Sequence, residues 1–285
     1  MSHRTDITWA NKPLIYEYDG SYDGLMCCVF EAFLCKELPM EIRWEETPLG
    51  GLCGQTGFAP VKWIETDREK ASRVKRWIPK KISRGAEELV QKGFLSCLEQ
   101  KELCILRFLV RGYQYGPAVM NRLADPAVHP LWKAVGHYNK EAHLLTGFVR
   151  FSMHNGVLVS VIGPKNMVLP ALQLHFCARY PNQTFMIYDS THGMALVHQP
   201  GRTGIIPMDE FVMSAPDVEE QKYRKLWKLF YDTIAVEGRE NPRCRMSHMP
   251  KRYWSYMTEF CSLPTDTPQT GELSPHNHTT PRAFP

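Results

Sequence analysis

Several groups of residues in this sequence have the types and spacing for chemistry. Asp19 closes an apolar, aromatic stretch, Leu14-Ile15-Tyr16-Glu17-Tyr18, and Asp23 follows it; Asp189 closes a second such stretch, Phe185-Met186-Ile187-Tyr188. If these two strands lie side by side and parallel, their carboxylates converge. Close carboxylates suit a divalent metal and phosphoester chemistry. A further pair, Glu141 and His143, sits in the segment EAHLLTGFVRF, where the imidazole would serve as a general acid or base. Asp19, Asp23, Glu141, His143 and Asp189 are therefore the candidate catalytic residues. Arg150 lies in the same segment, on a predicted strand of apolar neighbours. It either holds an anion or carboxylate, or forms a buried ion pair with Glu141.

A second kind of chemistry is written in Arg239-Glu240-Asn241-Pro242, followed by Arg243, Arg245, His248, Lys251, Arg252, Tyr253 and Trp254. A basic loop running into paired aromatics can hold phosphates with its cations and stack its rings on bases. Arg150, Arg239, Asn241, Arg243, Lys251, Arg252, Tyr253 and Trp254 are the candidate nucleic-acid contacts. The alternative for the rings is packing, because Trp254, Met257 and Phe260 keep helical spacing. A third basic group (Arg68, Lys70, Arg73, Lys75, Arg76, Lys80 and Lys81) either tracks a phosphate backbone or is a solvated helix face.

The elements that position these residues follow from periodicity. Leu14 to Tyr18 predicts a strand, and Asp19-Gly20-Ser21 a turn with Ser21 as helix cap. Tyr22, Leu25, Met26, Val29, Phe30, Phe33 and Leu34 then share one helical face. Glu41 to Trp44 and Val61 to Ile64 read as short strands, with a loop over Thr47 to Pro60. Thr66 with Glu69 reads as a capping box for a helix that buries Ala71, Val74, Trp77 and Ile78 and is ended or kinked at Pro79. One long helix is expected over Glu87 to Val110, and another from about Ala127 to Leu145. Asn155-Gly156 signals a hairpin between Gly147 to Met153 and Gly156 to Gly163. Val168 to Tyr180 reads as a helix with Pro170 in its first turn, and Asp189 to Gly193 as the turn of a second hairpin. Asp217 with Glu220 caps a helix in which Tyr223, Leu226, Trp227, Phe230 and Ile234 line a core face. Gly238 to Met249 is a polar, basic loop, and Pro250 opens a last short helix through Phe260. The pattern predicts an α+β fold, a small mixed sheet built from distant strands and hairpins and surrounded by many helices.

Composition narrows the class. The chain has 285 residues, 44% of them hydrophobic, and a formal net charge of +4, which suits a folded protein with ample core. No apolar run is long enough to span a membrane, and Met1 to Asn11 lacks the apolar core of a signal peptide, so a cytoplasmic location is expected. The nine cysteines include no C-x-x-C pair. Neither a zinc knuckle nor an iron–sulfur cluster is indicated, and most of the thiols are read as small buried apolar groups. Neither the dinucleotide-binding nor the P-loop glycine pattern occurs.

Four segments, in this order between about Leu14 and Phe260, carry a family resemblance: YDGSYDGLMCCVFEAF, EAHLLTGFVRF, FMIYD and LWKLFYDTIAVEGRENPRCRMSHMPKRYW. Together they resemble the domain of unknown function family DUF4130, whose members are often labelled probable DNA metabolism proteins. The resemblance implies one domain over residues 1–261; residues 262–285, rich in Pro and Thr, read from their composition as a disordered tail. It implies a DNA repair or modification setting, with a separate radical S-adenosylmethionine protein carrying a helix-hairpin-helix element as partner. In some proteins the same domain is fused to a uracil-DNA glycosylase-like module. The positions that match by motif include Tyr18, Asp19, Asp23, Glu31, Glu141, His143, Gly147, Arg150, Asp189, Arg239, Asn241, Pro250, Tyr253, Trp254 and Glu259. This chain has no glycosylase-like module after Phe260 and no three-cysteine radical-cluster motif, so no cofactor is expected on it. The expectation is a protein that binds DNA or a damaged nucleotide and acts with that partner. The alternatives are an enzyme whose acidic cluster hydrolyses a phosphoester or nucleotide, and a non-catalytic scaffold.

Overall fold

The computed structural model describes residues 9–44, 59–209, 211, 218–233 and 241–260. The expected loop over Thr47 to Pro60 falls largely outside these residues, and Asp217, Ile234, Arg239 and the tail fall wholly outside them. The chain divides into two compact units, Met1–Asn139 and Lys140–Pro285. Its mixture of helices and small sheets is the expected α+β fold, with the strands grouped into two sheets.

In the first unit, β1 (Ala10–Tyr18) leads through Gly20 into α1 (Tyr22–Cys35), β2 (Glu37–Trp44) and β3 (Val61–Trp63). The sheet order is β2-β1-β3, with both pairings parallel. Parallel neighbours need a crossover, and α1 supplies the one between β1 and β2. Central β1 buries Tyr16 and Tyr18 completely, yet neither hydroxyl is stranded. Tyr16 donates to Glu37 at 2.7 Å and Tyr18 to Glu102 at 3.2 Å. The arc of α1 that packs inward differs from the predicted face. Cys27 and Cys28 are buried beside Leu25, Met26 and Val29, whereas Leu34 is 66% exposed.

Asp19 organises the strand-to-helix turn. Its carboxylate accepts hydrogen bonds from the Ser21 N–H, the Ser21 hydroxyl (2.7 Å) and the Thr66 hydroxyl (2.8 Å). Ser21 in turn caps α1 by accepting the Gly24 N–H. Thr66 is thus engaged elsewhere, and the cap of α2 (Arg68–Lys81) is Asp67, which accepts the N–H groups of Glu69 and Lys70. Pro79 is accommodated inside α2 rather than ending it. The long helix expected over Glu87 to Val110 is two helices, α3 (Arg84–Phe94) and α4 (Lys101–Tyr115). The Ser96 hydroxyl donates to the Gly93 carbonyl and closes α3, and Gln100 at φ 50° restarts the chain as α4. Next comes α5 (His129–Phe148).

In the second unit, β4 (Ser152–His154) and β5 (Val157–Ile162) form the predicted hairpin. Asn155 and Gly156 both take positive φ, as a two-residue primed turn requires. The crossover helix α6 (Leu169–Arg179) returns the chain to β6 (Phe185–Asp189), parallel to β5. β7 (Met194–Gln199) and β8 (Arg202–Pro207) complete a mixed sheet of order β4-β5-β6-β7-β8. β8 is not anticipated by the sequence pattern. Then follow α7 (Val218–Thr233), α8 (Pro242–His248) and a 3-10 turn over Lys251–Tyr256. The basic stretch read as a loop is therefore partly helical, with Asn241 as the α8 cap accepting the Cys244 N–H.

Gly24 is a packing requirement. A Cβ there would stand 2.2 Å from the Asp19 carboxylate and 2.8 Å from the Thr66 hydroxyl. Gly24→Ala is expected to cost about 1–3 kcal/mol through overpacking. Gly136, on α5 with open space around it, should gain roughly 0.5–1 kcal/mol on Gly136→Ala. Urea-unfolding midpoints that move in the same direction for both variants would contradict this assignment.

Candidate functional site

The predicted site residues separate into three places. Asp19 is a turn-forming carboxylate. Burial alone would raise its pKa, but the hydrogen bonds from Ser21 and Thr66 outweigh that and hold it below the usual carboxylate range. Asp23 is ion-paired with Lys75. Asp189 belongs to β6 of the five-stranded sheet, whereas Asp19 follows β1 of the three-stranded one. The side-by-side strands that would bring these two carboxylates together do not form. Among the described residues, no group of three or more His, Cys, Asp and Glu side chains is placed to hold a metal ion.

The second place is a buried carboxylate hub on α5. Glu141 is only 3% exposed and accepts five hydrogen bonds. They come from the Lys165 and Asn166 backbone (3.1 and 2.8 Å), the Asn166 amide (2.6 Å), the Arg252 guanidinium (2.8 Å) and the Tyr253 hydroxyl (2.8 Å). Burial pushes this carboxyl up, but the donors from Asn166, Lys165 and Tyr253 more than reverse it and hold the pKa below the usual value. Burial and the Glu141 contact push the Tyr253 hydroxyl up to about 12. Tyr253 is fully buried, and its ring packs at 5.6 Å from Phe148. It is an anchor, so its predicted role as a base-stacking ring is corrected. Arg252 also donates to the Tyr253 hydroxyl. His143, two positions from Glu141 on the same helix, is exposed and takes no part in the hub.

The hub adjoins the C-terminal ends of the parallel strands. Lys165 and Asn166 lie in the loop after β5, whose last residue, Ile162, is the register partner of Asp189. Asp189 is completely buried and accepts the N–H groups of Thr191 and His192. It also pairs with His192 Nδ1 at 2.6 Å, a contact not anticipated from sequence. The Tyr256 hydroxyl closes this edge, lying so near Gly163 that a Cβ there would sit 2.2 Å away.

The third place is a cleft of about 680 Å³ lined by Gly147, Arg150, Phe151, Thr258 and the α7 residues Glu220, Tyr223, Arg224, Leu226, Trp227 and Phe230. Arg150 is not on a strand; it lies between α5 and β4. Its carboxylate partner is Glu259, not Glu141, bound in a bidentate pair at 3.2 and 2.8 Å. A third nitrogen donates to the Gly147 carbonyl, and the guanidinium lies 5.5 Å from the Trp227 ring centre. Arg224 pairs with Glu220 at 2.8 Å and donates to the Ser152 hydroxyl. Both cleft arginines are thus neutralised, and the cleft presents rings over fixed, paired charges. The α7 residues read as a core face are its walls: Tyr223 and Phe230 are 61% and 52% exposed. The i,i+4 pair Glu220–Arg224 was readable from sequence; the exposure of the aromatic face was not.

The predicted basic segment lies beyond this cleft. Trp254 stacks on Phe260 at 4.6 Å, with Arg245 and Lys251 within 6 Å of its ring. Its indole N–H donates to the Met249 carbonyl. Arg243, Arg245 and Lys251 are exposed and make no ion pair among the described residues.

An α+β protein with an aromatic cleft over neutralised arginines and a latch onto a buried glutamate defines the second unit. Residues 99–259, more than half of the chain, match the family described as Domain of unknown function (DUF4130), and the chain belongs to that family. The match begins after the β1–α1 segment, although the resemblance reached back to Leu14. No curated protein and no solved structure matches the chain.

The latch should respond to acid. Glu141 and Glu259 both have depressed pKa values in the fold; for Glu259 burial pushes the carboxyl up, and the Arg150 pair together with further hydrogen bonds more than reverses it. A depressed folded pKa contributes stability that is present above the unfolded value, about 4.3 for Glu, and is lost as pH falls through the folded value. Proteolytic cleavage within 241–260 should therefore rise as pH drops below about 4, ahead of cleavage in the five-stranded sheet. At neutral pH, Glu141→Ala should cost about 3–5 kcal/mol because it leaves the donors around a buried site unpaired, and Tyr253→Phe about 1 kcal/mol. Equal effects of these two substitutions in chemical denaturation would argue against the hub.

Proposed function

We propose that this protein binds nucleic acid in a DNA-metabolism setting, with the α7 cleft as the seat of an unstacked base. The observation that carries this reading is the sequence of exposed groups along α7: Lys222, Tyr223, Lys225, Trp227, Lys228 and Phe230 alternate cations with rings on one helix. The three lysines make no ion pair among the described residues. Alternating cations and exposed rings is the composition of a single-strand platform, in which cations follow the backbone and rings stack on bases. Because the cleft's own arginines are neutralised, a flat uncharged group suits it better than a phosphate. Arg243, Arg245 and Lys251 extend the positive surface. Rings over charges already committed to structural pairs favour a binding role, with the chemistry supplied by a separate radical S-adenosylmethionine protein in the cytoplasm. Leu229, 63% exposed on α7 and outside the cleft, supports such a protein contact.

The test is anisotropy of a labelled single-stranded oligonucleotide across a salt series. Tyr223→Ala/Phe230→Ala should weaken binding by about 1–3 kcal/mol per stacked base, roughly 5- to 160-fold. Lys225→Glu/Lys228→Glu should flatten the salt dependence by about 0.7 for each phosphate no longer neutralised. Both pairs are exposed, so folding should persist. Absence of binding at low ionic strength, or indifference to the aromatic pair, would overturn the reading.

A further inference from the structure

The first unit carries a feature that neither the hub nor the α7 cleft uses. α2 contains seven Lys and Arg residues and one Glu, a net +6, whereas the whole chain carries +4; the remaining residues therefore sum to −2. α2 is thus strongly basic within a chain whose remaining charges nearly cancel. Lys75 is paired with Asp23. Arg68, Lys70, Arg73, Arg76, Lys80 and Lys81 are exposed and make no ion pair among the described residues. Burial of Ala71, Val74 and Ile78 fixes the opposite face. Arg73, Arg76 and Lys80 are spaced i, i+3, i+7, so they form one outward stripe.

A solvated helix face would account for the charge alone. It does not account for the cleft beside it, about 190 Å³, lined by Phe30, Phe33, Arg73, Trp77 and Tyr113 with Val29 and Val74. Phe33 meets Trp77 and Tyr113 edge-on at 5.5 and 5.7 Å, and the Arg73 guanidinium stands 5.2 Å from the Phe30 ring. The cleft is smaller than the roughly 300–1,000 Å³ of drug-sized sites and matches a single flat ring. Arg73 belongs both to the cleft and to the stripe, so a ring seated in one has its anionic neighbour beside the other.

We infer that α2 and this cleft form a second nucleic-acid site, which takes one unstacked base among Phe30, Phe33, Trp77 and Tyr113 and holds the flanking phosphates on Arg73, Arg76 and Lys80. The choice of ligand class rests on the nucleic-acid reading above, but the site shares no residue with the α7 cleft. The experiment uses the full chain with a fluorescein-labelled oligothymidylate carrying one 5-iodouracil for photocrosslinking. Arg76→Glu/Lys80→Glu should lower affinity roughly tenfold or more at low salt and flatten the salt slope by about 1.4. Wild-type crosslinks should map to Trp77 or Tyr113. Unchanged affinity in Arg76→Glu/Lys80→Glu, with crosslinks only on α7, would overturn this inference and leave the α7 proposal standing. Loss confined to the α2 variant, with the Tyr223→Ala/Phe230→Ala protein unaffected, would do the reverse. No binding by wild type would overturn both.

Discussion

A carboxylate that gives up water must find its hydrogen bonds inside the protein, and Glu141 does so five times. The need is met from three directions: the backbone of the loop after β5, the amide of Asn166, and the arginine–tyrosine pair of the 3-10 turn. Each donor is thereby fixed along with the element that carries it. The loop that holds Glu141 lies at the carboxyl end of β5, so the hub also sets the edge at which Asp189 and His192 meet. The Arg150–Glu259 pair repeats the device a few residues on, pinning the end of the described chain and, through Trp227, orienting α7. The first unit buries carboxylates as well, with Glu37 and Glu102 receiving the hydroxyls of Tyr16 and Tyr18.

The cations divide by what they face. Arg150, Arg224 and Arg252 are tied to buried or half-buried carboxylates, and their charge is spent on architecture. The cations of α2 other than Lys75, and the lysines of α7, face outward with no ion pair among the described residues. A count of basic residues along the sequence gives both sets equal weight, although only the second can exchange counterions for phosphate. Rings follow the same division. Tyr253 is buried and Trp254 is stacked on Phe260, while Tyr223 and Phe230 stand mostly in solvent.

Features set by neighbouring residues were legible in the sequence. The Asn155-Gly156 hairpin followed from the positive φ that two adjacent residues must take, the Ser21 cap from its place before an apolar period, and α6 from Pro170 in its first turn. The split between α3 and α4 was hidden because it depends on one hydroxyl, Ser96, closing a turn inside an otherwise helical composition. β8 was hidden because a short edge strand containing Gly204 and ending at Pro207 has little strand signal. The Arg252 and Tyr253 donors of Glu141 and the Glu259 partner of Arg150 were out of reach for another reason: they lie more than a hundred positions away, and nothing local distinguishes Glu259 from any other glutamate. The α7 periodicity indicated a core face that the structure does not bury: Tyr223, Leu226, Trp227 and Phe230 are exposed, and the less exposed positions are Glu220, Gln221, Arg224 and Tyr231. It carried no information on whether anything covers that side.

The distance in sequence between Glu141 and its last donors also sets an order of events during translation. Arg252 and Tyr253 follow Glu141 by 111 and 112 residues, and Glu259 follows Arg150 by 109. At about 5–20 residues per second, the ribosome takes roughly 5–20 s to make that interval. The first unit, whose buried glutamates find their tyrosines within shorter spans, can be complete while the second still holds a half-coordinated carboxylate. The nascent chain therefore passes through a stage in which one half is finished and the other waits for its closing residues.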